Sequence, residues 1–124
     1  PIIIRSLVGR FPYNFQDLTM IAGTIGDYAA FVVHKDSSIG SFKELVEVFK
    51  ADPGSVAIGG GSVPGSMDHL VAAMAVEASG ADPTKLKYIP YDAGGKAMAA
   101  LLSGEIKALS TGFSEAVAMA TPMR

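Results

Sequence analysis

The stretch Ile58-Gly59-Gly60-Gly61-Ser62-Val63-Pro64-Gly65-Ser66-Met67-Asp68-His69-Leu70 restricts the possible folds of this chain more than any other. An apolar run, Val56-Ala57-Ile58, enters it, and an amphipathic segment over residues 66–79 leaves it. Between them stand glycines and hydroxyls. That is the sequence form of a strand–turn–helix, in which backbone N–H groups are left bare where the helix starts. Bare amides at the positive end of a helix dipole suit an anion.

The pattern recurs twice. Leu86-Lys87-Tyr88-Ile89-Pro90 reads as a strand, and Tyr91-Asp92-Ala93-Gly94-Gly95 as a glycine-bearing turn with Asp92 placed to cap the next helix. Ala97, Met98, Leu101 and Leu102 give that helix an apolar face, and Gly104 stops it. Ile106–Ser110 is a further strand, Thr111–Ser114 a third turn, and Glu115 to Ala120 begins another helix. The helix after the first turn carries Met67, Leu70, Val71, Met74, Ala75 and Ala78 as its expected core stripe, with Gly80 as its stop. From Val56 the order is thus β-α-β-α-β-α. It predicts an α/β fold with a mostly parallel sheet and helices on both faces. Ligands of such sheets lie outside the carboxyl ends of the strands, where all three turns fall.

Upstream, residues 1–20 show no clean period. Phe11, Tyr13 and Phe15 around Pro12 read as a packed loop with its rings as core anchors. Thr19–Thr24 is expected as a short strand, Gly26-Asp27 as a turn, and Ala29–His34 as a strand buried on both faces. His34, at its end, is expected to be solvated. Ser41-Phe42-Lys43-Glu44 is a capping box, with the serine hydroxyl on the Glu44 N–H and the glutamate reaching back to the serine N–H. Phe42, Leu45, Val46 and Phe49 follow at helical spacing until Asp52-Pro53-Gly54.

Composition excludes several functions. The chain has 124 residues, a formal charge of −2 and no Lys/Arg run, so nucleic acid is not an expected partner. It has no cysteine, which removes disulfides and thiolate metal sites. A hydrophobic content of 49% and a mean hydropathy of +0.35 suffice for a core, yet no apolar run reaches the roughly 18 residues that span a bilayer. No signal peptide is visible. The chain opens Pro1-Ile2-Ile3-Ile4 without Met and stops at Thr121-Pro122-Met123-Arg124 just after a helix has begun, so both ends read as cut and the chain as a fragment.

The first turn is not a dinucleotide loop. From Gly59 the third place is Gly61, but the sixth is Pro64, and no Gly-Lys-Ser/Thr follows. Ser66 and His69 can share a helix face, but a hydrolase needs a third partner and an oxyanion hole, and Gly-x-Ser-x-Gly is absent here. Asp68 and His69 are adjacent and point different ways on a helix, which disfavours a metal; no cofactor is expected. Anion binding fits better. Ser62, Ser66, Ser110 and Thr111 can donate to a carboxylate, and Tyr91 can donate or stack. No arginine sits in the turns, so neutral donors and dipoles would carry the charge. Against this stands the plainer reading of the turns as tight βα connections. An α/β enzyme domain (esterase-like or phosphate-handling) and a ligand-sensing regulatory domain remain the alternatives.

Several stretches together resemble a family. They are Val32-Val33-His34-Lys35-Asp36-Ser37, Phe42-Lys43-Glu44-Leu45, Phe49-Lys50-Ala51-Asp52-Pro53-Gly54, Gly65-Ser66-Met67-Asp68-His69-Leu70, Ile89-Pro90-Tyr91-Asp92-Ala93-Gly94-Gly95 and Leu101-Leu102-Ser103-Gly104. In this order, from about Ile21 to Val117, they resemble the solute receptors of tripartite tricarboxylate transporters, the Bug receptors. The resemblance implies a periplasmic, two-lobed type II binding protein that closes on a small organic anion: a di- or tricarboxylate, an acidic amino acid or an aromatic acid. It implies no catalysis, and membrane transporter subunits as partners. Residues 1–31 would be the tail of the first lobe and the hinge strand, and residues 32–124 the second ligand-binding lobe, incomplete at its C-terminus. Carried over, Gly61, Ser62, Gly65 and Ser66 would form the carboxylate site, with Tyr91, Ala93 and Gly94 beside it. His69 matches the motif, either as a contact or as a residue that fixes the loop. Asp68 is expected to face outward, away from the anion. Cut sheet edges would invite pairing into a homodimer.

Overall fold

The computed structural model describes residues 2–9 and 11–120; the closing stretch Thr121–Arg124 lies outside them. Four strands, β1 (Ala29–Val32), β2 (Ala57–Gly60), β3 (Lys87–Pro90) and β4 (Ala108–Gly112), form one sheet in the order β1-β4-β2-β3. β2 runs parallel to β3 (Ile58↔Tyr88) and to β4 (Gly59↔Leu109), and β1 closes one edge antiparallel to β4 (Phe31↔Ser110). The mostly parallel α/β sheet expected from the β-α alternation is the one observed. β1 is a strand of this sheet and straddles the boundary expected at residues 31 and 32.

The helices are α1 (Ile2–Leu7), α2 (Phe42–Ala51), α3 (Met67–Ala78), α4 (Gly94–Ser103) and α5 (Phe113–Ala120). Strand alternation divides the core between two faces. Ile58 and Ala108 pack with Leu45 and Phe49 of α2 and Ala72 and Val76 of α3. Ala57 and Leu109 pack on the other face with Ala97, Ala100 and Leu101 of α4 and with Ile106. The result is a helix–sheet–helix sandwich with both sheet faces covered.

Local details depart from expectation where the sequence is ambiguous. In α2 the Ser41 hydroxyl accepts the Glu44 N–H (3.2 Å), but the glutamate reaches one residue further back and accepts the Gly40 N–H (2.6 Å) instead of that of Ser41. In α3 the buried residues are Ala72 and Val76, whereas Met67 and Met74 are exposed. Nearly every position of α3 is apolar, so periodicity does not fix its phase, and the alanine face allows the closest approach to the sheet. α3 ends as Gly80 predicts. At φ +78° its N–H donates to the Glu77 carbonyl (2.8 Å) while the Ala81 N–H donates to that of Val76 (3.2 Å). In α4 Leu102 is exposed and Ala100 takes its expected place in the core.

The upstream segment is corrected in three ways. Residues 2–7 form a helix where no period was visible. Phe11, Tyr13 and Phe15 are exposed rather than core anchors; Phe11 packs edge-on against Tyr13 at 5.8 Å, and the turn is held by polar bonds between Asn14 and Asp17. Thr19–Thr24 forms no strand, because it finds no ladder partner; Ile21 is 96% exposed.

Candidate ligand-binding edge

The carboxyl ends of β2, β3 and β4 and the amino end of β1 lie on one edge of the sheet, with the starts of α3, α4 and α5 above it. The glycines of the first turn are occupied differently from the open backbone expected. Gly59 and Gly60 are strand residues. A Cβ at Gly59 would strike Ile106 and the Tyr91 ring (3.1 Å); one at Gly60 would strike the Tyr88 hydroxyl and the Asp68 Cβ (2.7 Å). A Cβ at Gly61 would lie 2.7 Å from the Gly94 amide nitrogen. These three glycines let rings and a neighbouring turn pack onto β2, so their missing side chains leave no room for a ligand. Gly65 differs: it holds φ +80° and has open space where a Cβ would stand.

From Ser62 to His69 the loop is tied internally. The Ser62 hydroxyl accepts the Asp68 N–H (3.2 Å), and the Ser62 carbonyl accepts from the Tyr88 hydroxyl (2.7 Å). Burial pushes the Tyr88 phenol up; the hydrogen bonding to Ser62 opposes this, and the Asp68 carboxylate adds to it. The Gly65 N–H donates to His69 Nδ1 (2.8 Å), and the imidazole stacks on Tyr88 with centroids 4.6 Å apart. His69 therefore fixes the loop and uses the Gly65 amide. Ser66 is the N-cap residue of α3, yet its hydroxyl makes no capping bond; Ser62 satisfies a first-turn amide in its place. Among the described residues the Met67 and His69 amides have no acceptor. Asp68 does not face outward as expected. It is half-buried, its Cβ lies over Gly60, and its carbonyl accepts from the buried Ser110 hydroxyl (2.9 Å).

At the second turn Asp92 does not cap α4. It pairs with Lys96 (3.3 Å), and Ala93 is the N-cap residue with φ +89°, rare for a residue with a side chain. The Tyr91 hydroxyl donates to Glu105 (2.9 Å) while its ring packs on Gly59, so the phenol is engaged away from the Ser62–Ser66 loop. Burial, and then the bond to Glu105, push the Tyr91 phenol up. The third turn is shorter than expected, because β4 continues through Gly112 directly into α5. There the Thr111 hydroxyl donates to Glu115 Oε2 (2.5 Å), and that oxygen lies 3.0 Å from where a Gly94 Cβ would stand. Ser110 and Thr111 are thus both buried and committed, one to each sheet face.

The structure brings Gly61, Ala93 and Gly94 into direct contact and sets Ser62, Gly65, Ser66 and His69 in one tied loop beside them. It also reveals a cation absent from the turns themselves. Arg5 of α1 lines a cavity of about 410 Å³ with Ile4, Val8, Val63, Pro64, Gly65 and Ser66. No local signal in residues 1–20 marks that placement, since it depends on where α1 lies. Ser66 and His69 are not bonded to each other; the imidazole nitrogen facing the loop is taken by Gly65. Among the described residues no group of three His, Cys, Asp or Glu could hold a metal, and no helix is long and apolar enough to cross a membrane.

A three-layer lobe with the starts of its helices gathered at the carboxyl edge of its sheet defines the class: an α/β ligand-binding lobe of the periplasmic-receptor type. The chain belongs to the tripartite tricarboxylate transporter receptor family, whose model matches residues 6–121. Members are solute-binding receptors rather than enzymes. The chain is similar to a UPF0065 protein in the gbd 5' region of Cupriavidus necator, with 31% identity over 110 residues that cover 83% of this chain and 32% of that protein. Among solved structures it is similar to a TctC solute binding protein from Polaromonas, determined with no ligand (TM-score 0.78, 26% identity, 94% of this chain and 38% of that one). The fold is also that of a structure described as a periplasmic transporter (TM-score 0.58, 24% identity, 69% of this chain and 28% of that one). The chain thus spans about a third of the length of these relatives.

Proposed function

We propose that this chain is the second-lobe portion of a periplasmic receptor that captures a small organic carboxylate and presents it to the membrane subunits of a tripartite transporter. Residues 1–31 then supply the tail of the first lobe and the hinge strand, and residues 32–124 the second lobe. The observation that carries this reading is the start of α3. Among the described residues the Ser66 hydroxyl and the Met67 and His69 amides are without partners, and Ser66 lines the cavity that Arg5 also lines. Hydroxyl and amide donors at a helix start, with a guanidinium nearby, suit a carboxylate. Ser62, Gly65 and His69 act on this site by fixing the loop, and Gly61, Ala93 and Gly94 form the abutting turn beside it.

Calorimetry of the full-length receptor against succinate, citrate, glutamate and benzoate tests this. Binding of at least one acid, with none of glucose, is the expected result. Tight binding of the neutral sugar with no response to any acid would overturn the ligand class. The exposed outer edges of β1 and β3 support self-pairing of the isolated chain. Sedimentation velocity over a range of concentrations reads that directly; a single monomer species throughout removes the homodimer.

A further inference from the structure

The cavity of about 410 Å³ beside the α3 loop has an uneven lining. Residues in and just after α1 form part of it, and residues 63–66 the rest. Its walls are mostly aliphatic, from Ile4, Val8, Val63 and Pro64. Its polar side chains are two, Arg5 and Ser66, and no carboxylate lines it. A hollow of this size, largely apolar with a few polar groups to orient what enters, has the form of a small-molecule site. Val8 is 59% exposed and Val63 64% exposed, so both present apolar surface to water that a ligand could cover. Arg5 joins none of the ion pairs among the described residues; those link His34 to Asp36, Lys43 to Glu47 and Lys96 to Asp92. Its guanidinium can therefore take one carboxylate. A second negative charge on the ligand finds no matching cation in the lining. Lys96, on the neighbouring turn, is held by Asp92, and His69 Nδ1 is occupied as the acceptor of the Gly65 N–H.

We propose that this cavity selects an acid with a single carboxylate and an apolar body over di- and tricarboxylates, and that Val8 and Val63 are its specificity-determining residues. The inference rests on reading this edge as a carboxylate site. Arg5 and Ser66 donate to the carboxylate, and the body lies against Ile4, Val8, Val63 and Pro64. Covering the two exposed valines removes apolar surface from water, which favours a hydrocarbon body. A dicarboxylate would set its second charge in the same place. That charge would lose water against aliphatic groups and gain no cation in return. Residues 4–8, remote in sequence from the loop, supply both the cation and half of the aliphatic wall.

Calorimetry of the full-length receptor compares valerate with glutarate, which share a five-carbon chain and differ in a methyl group against a second carboxylate at the far end. Citrate is run beside them, and 1-pentanol supplies the same chain without charge. The wild type should bind valerate about tenfold more tightly than glutarate, because an unpaired charge is costly to bury, and 1-pentanol more weakly than valerate. Val63→Asn and Val8→Asn should each lower the valerate-to-glutarate ratio by roughly threefold, the effect of the apolar area withdrawn. Arg5→Gln should weaken valerate. Melting curves of the variants check that each is folded, and the wild-type ratio is a test that needs no variant. Glutarate or citrate binding as tightly as valerate, or a ratio that neither valine variant moves, overturns the apolar-body assignment and leaves the carboxylate reading standing. Valerate binding unchanged in Arg5→Gln overturns this cavity as the seat. If no acid binds, or 1-pentanol binds as tightly as valerate, the carboxylate reading itself fails, so the two failures are told apart.

Discussion

Two serines four residues apart divide two tasks usually joined in one N-cap residue. Ser62 Oγ accepts an amide of the first turn of α3, while Ser66, at the cap position itself, makes no cap bond with its hydroxyl. Ser62→Ala should therefore destabilise the fold by about 1 kcal/mol, the usual cost of losing a cap bond. Ser66→Ala should change stability by less than about 0.5 kcal/mol, yet weaken binding of a responsive acid to the full-length receptor. Urea unfolding of both variants, with calorimetry on the second, separates the roles; equal stability losses would contradict the division. Tyr88 gives a pH signature of the same loop. Its folded pKa is raised above the ordinary tyrosine value, chiefly by burial. A raised pKa contributes stability that is fully present below the unfolded pKa and is lost as pH rises through the folded one. Urea midpoints should hold to about pH 9 and fall above pH 10. Tyr88→Phe should flatten part of that fall, with the remainder expected from Tyr91, whose phenol is also raised.

At the scale of elements, the β-α alternation and the caps at Ser41 and Gly80 were legible, because each follows from local chemistry: hydroxyl at a helix start, glycine at its stop, apolar run between turns; the strand ends were not, since β2 and β4 run on through glycines read as turn. The phase of α3 was not, since Leu70 to Val76 is apolar throughout and only contact with the sheet chooses a face. Nor was the use made of Gly59–Gly61. A sequence shows that side chains are missing there, and only the fold shows that Tyr91, Tyr88 and Ala93–Gly94 take the space. The site was legible as a loop, and His69 as a residue that could fix it. The inward Asp68, the carboxylate of Glu115 over α4 and the approach of Arg5 depend on long-range placement. The abutting turns make opposite demands on two small residues. Gly61→Ala would drive a Cβ into backbone at 2.7 Å and should cost about 1–3 kcal/mol. Ala93→Gly would relieve a side-chain residue held at φ +89° and should be neutral or stabilise by up to about 1 kcal/mol, since strain relief outweighs the added chain freedom. Thermal melts of the two variants should thus move in opposite directions, or one fall while the other stays; a loss in both would mean that Ala93 is not strained.

On the proposed reading the described residues offer a ligand one edge of the sheet, and that limits what the chain can hold alone. At the α3 start the donors are one hydroxyl and two amides, with Arg5 exposed on the cavity wall. Hydrogen bonds to a charged group contribute about 1.5–3 kcal/mol each at best. Association costs an estimated 4–15 kcal/mol in lost translational and rotational freedom, so these donors leave little net affinity while one side of the ligand stays in water. A receptor that covers the ligand from two sides also removes that water and strengthens every charge-assisted bond. A ligand that binds only the folded state raises stability by about 2.7 kcal/mol at a hundred times its Kd and by almost nothing below it. At millimolar concentrations of an acid that stabilises the full-length receptor, the isolated chain should therefore show no rise in melting temperature, while the receptor melts several degrees higher. A comparable rise in the isolated chain would show that this edge alone captures the acid, and would remove the need for closure in this receptor.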